Sequence, residues 1–242
     1  MAGNQLLKNP PIKETIFAIS FGDSVEFSEI QKFSQHPTIA SNFPTANKGF
    51  QAEVKIDAVK PPESEVRNDG LLLRGRNDYN RILHVRRGQI SFHGVKGYIE
   101  FNDFLGEFIS YWGIFEQEVG KRKVTSLSVR YLNEIERTDG ETIEDVVKIF
   151  PKHPFGNHQK ISSFVNLRFR CNENPNVHAN VVSTTVQKDS KNIVILDIIL
   201  TNKFGAAPST SELKAMALTL RDIKNDIFYD CITDTTIERY NQ

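Results

Sequence analysis

The chain has almost no cysteine. Cys171 and Cys231 are the only two in 242 residues, too few for a disulfide framework or a cysteine-rich zinc site. Both fall on predicted apolar faces, where a thiol behaves as a small inert hydrophobe. Long apolar runs are missing too. No stretch approaches the roughly 18 residues that a membrane helix needs, and the opening Met-Ala-Gly-Asn-Gln-Leu-Leu-Lys has no apolar core of signal-peptide length. Neither sign of charge is in excess, with 30 basic against 30 acidic residues. That balance argues against a surface given over to nucleic acid, although a local patch can sit under a neutral total. The expectation is a reduced, cytoplasmic globular protein without a membrane segment. A chain of this length buries about 70–75% of its unfolded surface and needs no disulfide or metal to fold.

The familiar signatures of chemistry are absent as well. There is no Gly-x-Ser-x-Gly, Walker loop or dinucleotide fingerprint. The histidines at 36, 84, 93, 153, 158 and 178 show no His-x-x-x-His or Glu-x-x-His pairing on a helix. His153 and His158 flank Pro154-Phe155-Gly156 in a predicted loop, at most a weak site. Glu53-Val54-Lys55 with Asp23 upstream has some likeness to the acid, acid-x-Lys set of metal-dependent nucleases. A helix stands where that pattern has a hairpin, and Glu-x-Lys arises freely on exposed strands. Arg87 and His93 have a ribonuclease-like spacing but lie across a glycine turn. No catalytic residue, cofactor or metal is expected, and the chain does not read as an enzyme.

What is present is strong periodicity. Pro10-Pro11 holds the entry extended before a strand at 14–21 with Phe17, Ile19 and Phe21 inward. Ser28-x-x-Gln31 suggests a capping box for a short helix carrying Ile30 and Phe33, stopped near Pro37 and followed by a loop over 38–48. Phe50, Ala52, Val54 and Ile56 alternate as a strand. Leu71–Leu73, Ile82–Val85 and Ile90–Val95 follow as a meander, turning at Asn77-Asp78-Tyr79-Asn80 and at Arg87-Gly88-Gln89. Phe101, Phe104, Leu105, Phe108, Ile109, Trp112, Phe115 and Val119 form one helical stripe, N-capped by Asn102 and closed by Gly120. The pattern then restarts. A strand covers 124–136, and Thr142-x-x-Asp145 opens a short helix to Phe150. Strands follow at 163–171, 178–187 and 193–201. Ser209-x-x-Glu212 opens a long helix with Leu213, Met216, Ala217, Leu220, Ile223, Ile227 and Cys231 on one face.

Each half therefore reads strand, short helix, several antiparallel strands, long helix. The expected fold is α+β: one antiparallel sheet with helices on one face, built from two pseudo-repeated halves, about 9–120 and 121–242. No Gly/Ser/Pro linker separates them, so 1–242 reads as a single compact domain.

Four ordered motifs carry a resemblance. Pro10-Pro11-Ile12-Lys13-Glu14, the aromatic helix from Phe101 to Gly120, Arg130-Tyr131-Leu132-Asn133 and Phe228-Tyr229-Asp230-Cys231-Ile232-Thr233-Asp234 span nearly the whole chain. Together they resemble a sporadically distributed bacterial and archaeal family of about 250 residues with no established activity. The family's Tyr-Pro-Gly-Trp-like entry to the aromatic helix is replaced here by Tyr98-Ile99-Glu100-Phe101. The patchy distribution is similar to that of genes in anti-phage or CRISPR-linked loci, which implies an accessory protein.

Two regions stand out as binding candidates. From Arg74 to Lys96 six basic residues, Arg74, Arg76, Arg81, Arg86, Arg87 and Lys96, face one acid, Asp78, a net of +5. Tyr79 and Phe92 are interleaved. Such a face suits an acidic protein or single-stranded RNA, or it is simply a solvated hairpin. Arg130, Tyr131 and Asn133 on one strand, with Glu14, suit a polar pocket with Arg130 as an anion clamp. The competing reading is a structural Arg130–Glu14 pair tying the halves together. The leading expectation is a non-catalytic accessory protein binding a protein or RNA. The alternative is a sensor of a nucleotide-like ligand in a pocket between the halves.

Overall fold

The computed structural model describes residues 7–55, 63–76, 79–151 and 162–242, with backbone alone at 51–55 and 63–67. Nine strands, β1 (Ile12–Phe21), β2 (Thr45–Lys55), β3 (Glu63–Arg74), β4 (Arg81–Arg86), β5 (Gln89–Val95), β6 (Val124–Arg137), β7 (Phe164–Arg170), β8 (Val177–Lys188) and β9 (Lys191–Lys203), form one antiparallel sheet. Their order is β2-β3-β4-β5-β1-β6-β9-β8-β7. The helices are α1 (Phe27–Ser34), α2 (Pro37–Asn42), α3 (Phe101–Val119), α4 (Thr210–Cys231) and α5 (Asp234–Tyr240). The class is α+β. Among the described residues no helix is long and apolar enough to cross a membrane.

Strand alternation decides which face the helices cover. Phe17 lies opposite Phe92 on β5 and Val129 on β6, so all three share a side. That side meets α3, where Phe17 packs on Phe101, Phe104 and Phe108 at ring distances of 5.3, 5.1 and 5.8 Å. The aromatic stripe of α3 is buried along its whole length, as its spacing requires. Burying each such ring stabilises the fold by roughly 1.5–3 kcal/mol. Tyr131, two residues beyond Val129, points to the same side and meets α4.

Several elements differ from the sequence expectation. α1 ends at Ser34, just before Pro37, but the expected loop over 38–48 is not one: Pro37 opens α2, since its missing N–H costs nothing in a first turn, and β2 begins at Thr45. The carboxylate of Glu100, not Asn102, caps α3, accepting from the N–H groups of Asn102 and Asp103. No helix forms at 142–150. Asp145 instead accepts from the backbone N–H and hydroxyl of Thr142 at 2.7 and 2.8 Å, closing a turn. The β-branched pair Val146-Val147 then runs extended enough for Val147 to bridge Ile232. Ile143, Val146 and Val147 are buried all the same. The expected strand position Ile56, and the turn residues Asn77 and Asp78, lie outside the described residues.

Candidate functional site

The buried face of α4 is Leu213, Ala217, Leu220, Lys224, Phe228 and Cys231, a strict three-or-four spacing with a lysine in the middle. The helix is held in that rotation by a capping box between Ser209 and Glu212. Its first turns join the apolar cluster that contains Phe17 and Trp112; its last turns join a second cluster with Ile135 and Ile198. Lys224 stands between the two. It is 8% exposed, and its Nζ lies 4.0 Å from the centroid of the Tyr131 ring. No carboxylate or hydrogen-bond acceptor among the described residues pairs with that ammonium. Burial, with the Arg221 charge added, lowers its pKa to about 8.

Lys224 and Tyr131 line a cavity of about 210 Å³. One wall is the N-terminal segment, with Leu7, Lys8, Pro10 and Ile12. The entry to α3 supplies Tyr98 and Phe101, β6 adds Asn133, and α4 adds Arg221, Asn225, Phe228 and Tyr229. The N-terminal wall is fastened to the end of the chain: Asn9 donates its backbone N–H to Tyr240 O at 3.0 Å and its side-chain amide to Gln242 O at 3.2 Å. Asn133 is anchored by donating to Leu196 O at 3.0 Å. Arg221 lies 5.1 Å from the Phe101 centroid and donates from Nε and Nη2 to Asp222. Burial pushes the Tyr131 and Tyr98 phenols up, so both stay protonated at neutral pH. The cavity thus offers aromatic walls, three cationic residues (Lys8, Arg221 and Lys224) and neutral donors, a combination suited to a compact anion with an apolar body.

Of the four residues expected to form one pocket, Tyr131 and Asn133 reach this cavity. Glu14 and Arg130 lie on the other face of the sheet, as strand alternation dictates. Arg130 is clamped to Asp197, not to Glu14, by a bidentate pair of 2.8 and 2.7 Å. That bond holds its guanidinium above its ordinary pKa. Glu14 bonds His93 Nδ1 at 2.9 Å, and His93 Nε2 meets Ser91 Oγ at 3.0 Å. The hydrogen bond to His93 holds the Glu14 carboxyl below the usual range. This order of partners is that of a serine-hydrolase relay, yet Ser91 is 4% exposed in the middle of β5. Ser91 sits within the paired ladder of β1, β5 and β4, beside His93.

The basic segment is likewise dispersed. Phe92 is fully buried between Phe104 and Tyr111, so it cannot stack on a base. Tyr79 bonds Tyr111 and Glu107 at 2.6 and 2.8 Å, and burial drives its phenol pKa up. Arg81 pairs with Glu107 under the edge of α3. Arg86 lies between Asp69 and His84, Arg87 pairs with Glu26, and Arg76 donates to Ser41 O. Arg74 is exposed. His84, desolvated beside Arg86, has its pKa lowered to about 4.

His153 and His158 lie outside the described residues, as do the side chains of Glu53 and Lys55. Among the described residues no group of three or more His, Cys, Asp or Glu could hold a metal ion. Burial pushes the Cys231 thiol up to about 12. No family model matches the chain, and no curated protein matches it.

Lys224 and Arg221 were not among the residues that sequence reasoning selects. The signal was there: the apolar spacing 213, 217, 220, 228, 231 carries position 224 inward, and a lysine occupies it.

Proposed function

We propose that the protein is a binding module for a small anion with an aromatic or apolar body, seated in the cavity between β6 and α4. One observation carries this reading: Lys224 is buried, cationic and without a counter-charge among the described residues. A buried charge is normally paired, because removing it from water unpaired costs several kcal/mol. A ligand carboxylate or phosphate would supply the missing partner, with Arg221 at its flank and the rings of Tyr98, Phe101 and Tyr131 around its body. A volume of about 210 Å³ favours a compact molecule. Aromatic carboxylates and nucleoside monophosphates are the classes to try.

The test is a thermal-shift screen of those two classes. At a hundredfold excess over Kd, a true ligand stabilises the fold by about 2.7 kcal/mol. The shift is expected to vanish in Lys224→Met, shrink in Arg221→Ala and persist in Arg130→Ala, whose side chain lies on the far face. No shift with any compound, or a shift undiminished in Lys224→Met, overturns the reading.

A duplication of one strand–meander–helix plan would put the cavity at the seam of the two copies. The adjacency of β1 and β6 at the middle of the sheet supports that origin. The cavity also draws its walls from both sides of Lys121. A second reading, a protein-binding accessory module, is favoured by β7. This edge strand exposes Phe164, Leu167 and Phe169. Pull-down from the native host with Leu167→Asp/Phe169→Asp would test it; an unchanged set of captured proteins rejects β7 as the contact. The link to anti-phage or CRISPR-linked loci draws on the resemblance of the four motifs alone.

A further inference from the structure

We propose that Lys224 captures a carbonyl-bearing anion, such as a 2-oxo acid or an aromatic aldehyde with an acidic substituent, as a covalent imine. This rests on the reading of the cavity as an anion site and goes one chemical step beyond it. Imine formation needs an amine that is neutral part of the time, free of a salt bridge, and in reach of a bound carbonyl. Most lysines fail on the first two counts, since water and carboxylates hold them as ammonium ions.

Lys224 meets each condition through its surroundings. It is the one lysine in the buried class among the described residues. The ring of Tyr131 lies against its Nζ, where a carboxylate would hold it charged. Arg221 stands three residues earlier on the same helix and lines the same cavity. A second cation has two effects here: it disfavours the charged amine, and it attracts the acid group of the ligand. Desolvation and a neighbouring cation are the two devices that make a lysine nucleophilic. The pKa near 8 agrees with this geometry. Asn225 and Tyr98 complete a polar rim around the same space.

The step balances without an oxidant or reductant. The lone pair of neutral Nζ attacks the carbonyl carbon, and the C=O electron pair moves to oxygen. A proton passes from nitrogen to that oxygen, giving a carbinolamine. A second proton, taken up from solvent at the cavity mouth, lets the oxygen leave as water. The product is a protonated imine, so the positive charge remains beside the ligand's anionic group. Hydrolysis reverses each bond change and returns both partners.

The experiment uses the whole chain with two anionic probes, glyoxylate and pyridoxal 5′-phosphate, and a neutral one, benzaldehyde. Cyanoborohydride traps any imine as a stable secondary amine, which intact-mass measurement and peptide mapping then locate. At substoichiometric probe, Lys224 is expected to carry at least tenfold more adduct than any other lysine. Labelling by the anionic probes should exceed that by benzaldehyde several-fold. The labelling rate should climb as pH rises through about 8 and level off well below 10.5, the ordinary lysine value. Lys224→Arg keeps a cation in place. It should lose the adduct while still giving a thermal shift with non-carbonyl anions such as benzoate. Adduct spread evenly over surface lysines, or unchanged in Lys224→Arg, overturns covalent capture. Should benzoate stabilise the wild type while neither anionic aldehyde labels Lys224, the imine proposal falls and the anion site stands. Equal labelling by benzaldehyde would remove the anion from the proposal and so reject it.

Discussion

Replacing Lys224 by methionine should make the ligand-free protein more stable. Methionine matches the lysine stem in length and is apolar, so it fits against the Tyr131 ring without a large new cavity. What it removes is a buried charge. A fall in pKa from 10.5 to about 8 corresponds to about 3 kcal/mol spent at neutral pH on keeping that side chain ionised. The lost attraction to the Tyr131 ring returns roughly 1–2 kcal/mol of this, leaving a net gain on the order of 1–2 kcal/mol. For a chain of this size that raises Tm by roughly 2–8 °C. The pH dependence has a definite sign. The folded-state pKa lies below the unfolded one, so between about 8 and 10.5 the unfolded chain holds the extra proton and wild-type stability rises with pH. The advantage of the variant should be constant below pH 8, shrink through that window and be gone above 10.5. Urea unfolding of both proteins at pH 7, 9 and 11 measures this directly. A variant less stable than wild type at pH 7, or an advantage that persists undiminished at pH 11, would refute the burial argument. A residue that costs the apo fold this much is expected to be retained for what it binds.

Three further outcomes follow from other parts of the molecule. His84 cannot be protonated in the fold until pH falls to about 4, so acidification from 6.5 towards 4 should cost the wild type roughly 2 kcal/mol; His84→Gln should flatten that limb of a pH–stability profile. Arg130→Ala should destabilise by roughly 2 kcal/mol by stranding Asp197, which is nearly buried. The double change Arg130→Met/Asp197→Leu should be close to neutral, and a double-mutant unfolding cycle separates the two. Gly94→Ala should cost roughly 1–3 kcal/mol. Its Cβ would meet Phe104 Cε2 at 3.1 Å and Ile99 Cδ1 closer still, pushing α3 off the sheet; thermal unfolding reads the loss.

The elements that could be read from sequence were those whose period matched a single buried face. The α3 stripe, β1, β6 and β9 declare themselves through side-chain spacing, and the start of α4 through its Ser209 box. The segment 142–150 misled because the short Thr-x-x-Asp motif closes a turn as readily as it caps a helix, and only tertiary pairing with Ile232 decides. The basic hairpin misled for a related reason. Sequence shows the charges of Arg81, Arg86 and Arg87 but not their acids, which come from α3, the middle of β3 and the residue before α1. On the 130–133 strand, alternation sets Arg130 on the opposite face from Tyr131 and Asn133. Placing all four residues in one pocket asked the two faces of a strand to meet. Lys224 was hidden by its own chemistry, since a lysine among apolar residues is ordinarily assigned to water.

The fastening of Asn9 to Tyr240 and Gln242 joins the first described residues to the last in one clasp. A fusion tag or surface tether attached after Gln242 would pull on the strip of chain that roofs the lysine. Assays meant to detect occupancy are therefore best built with labels placed on the far side of the sheet.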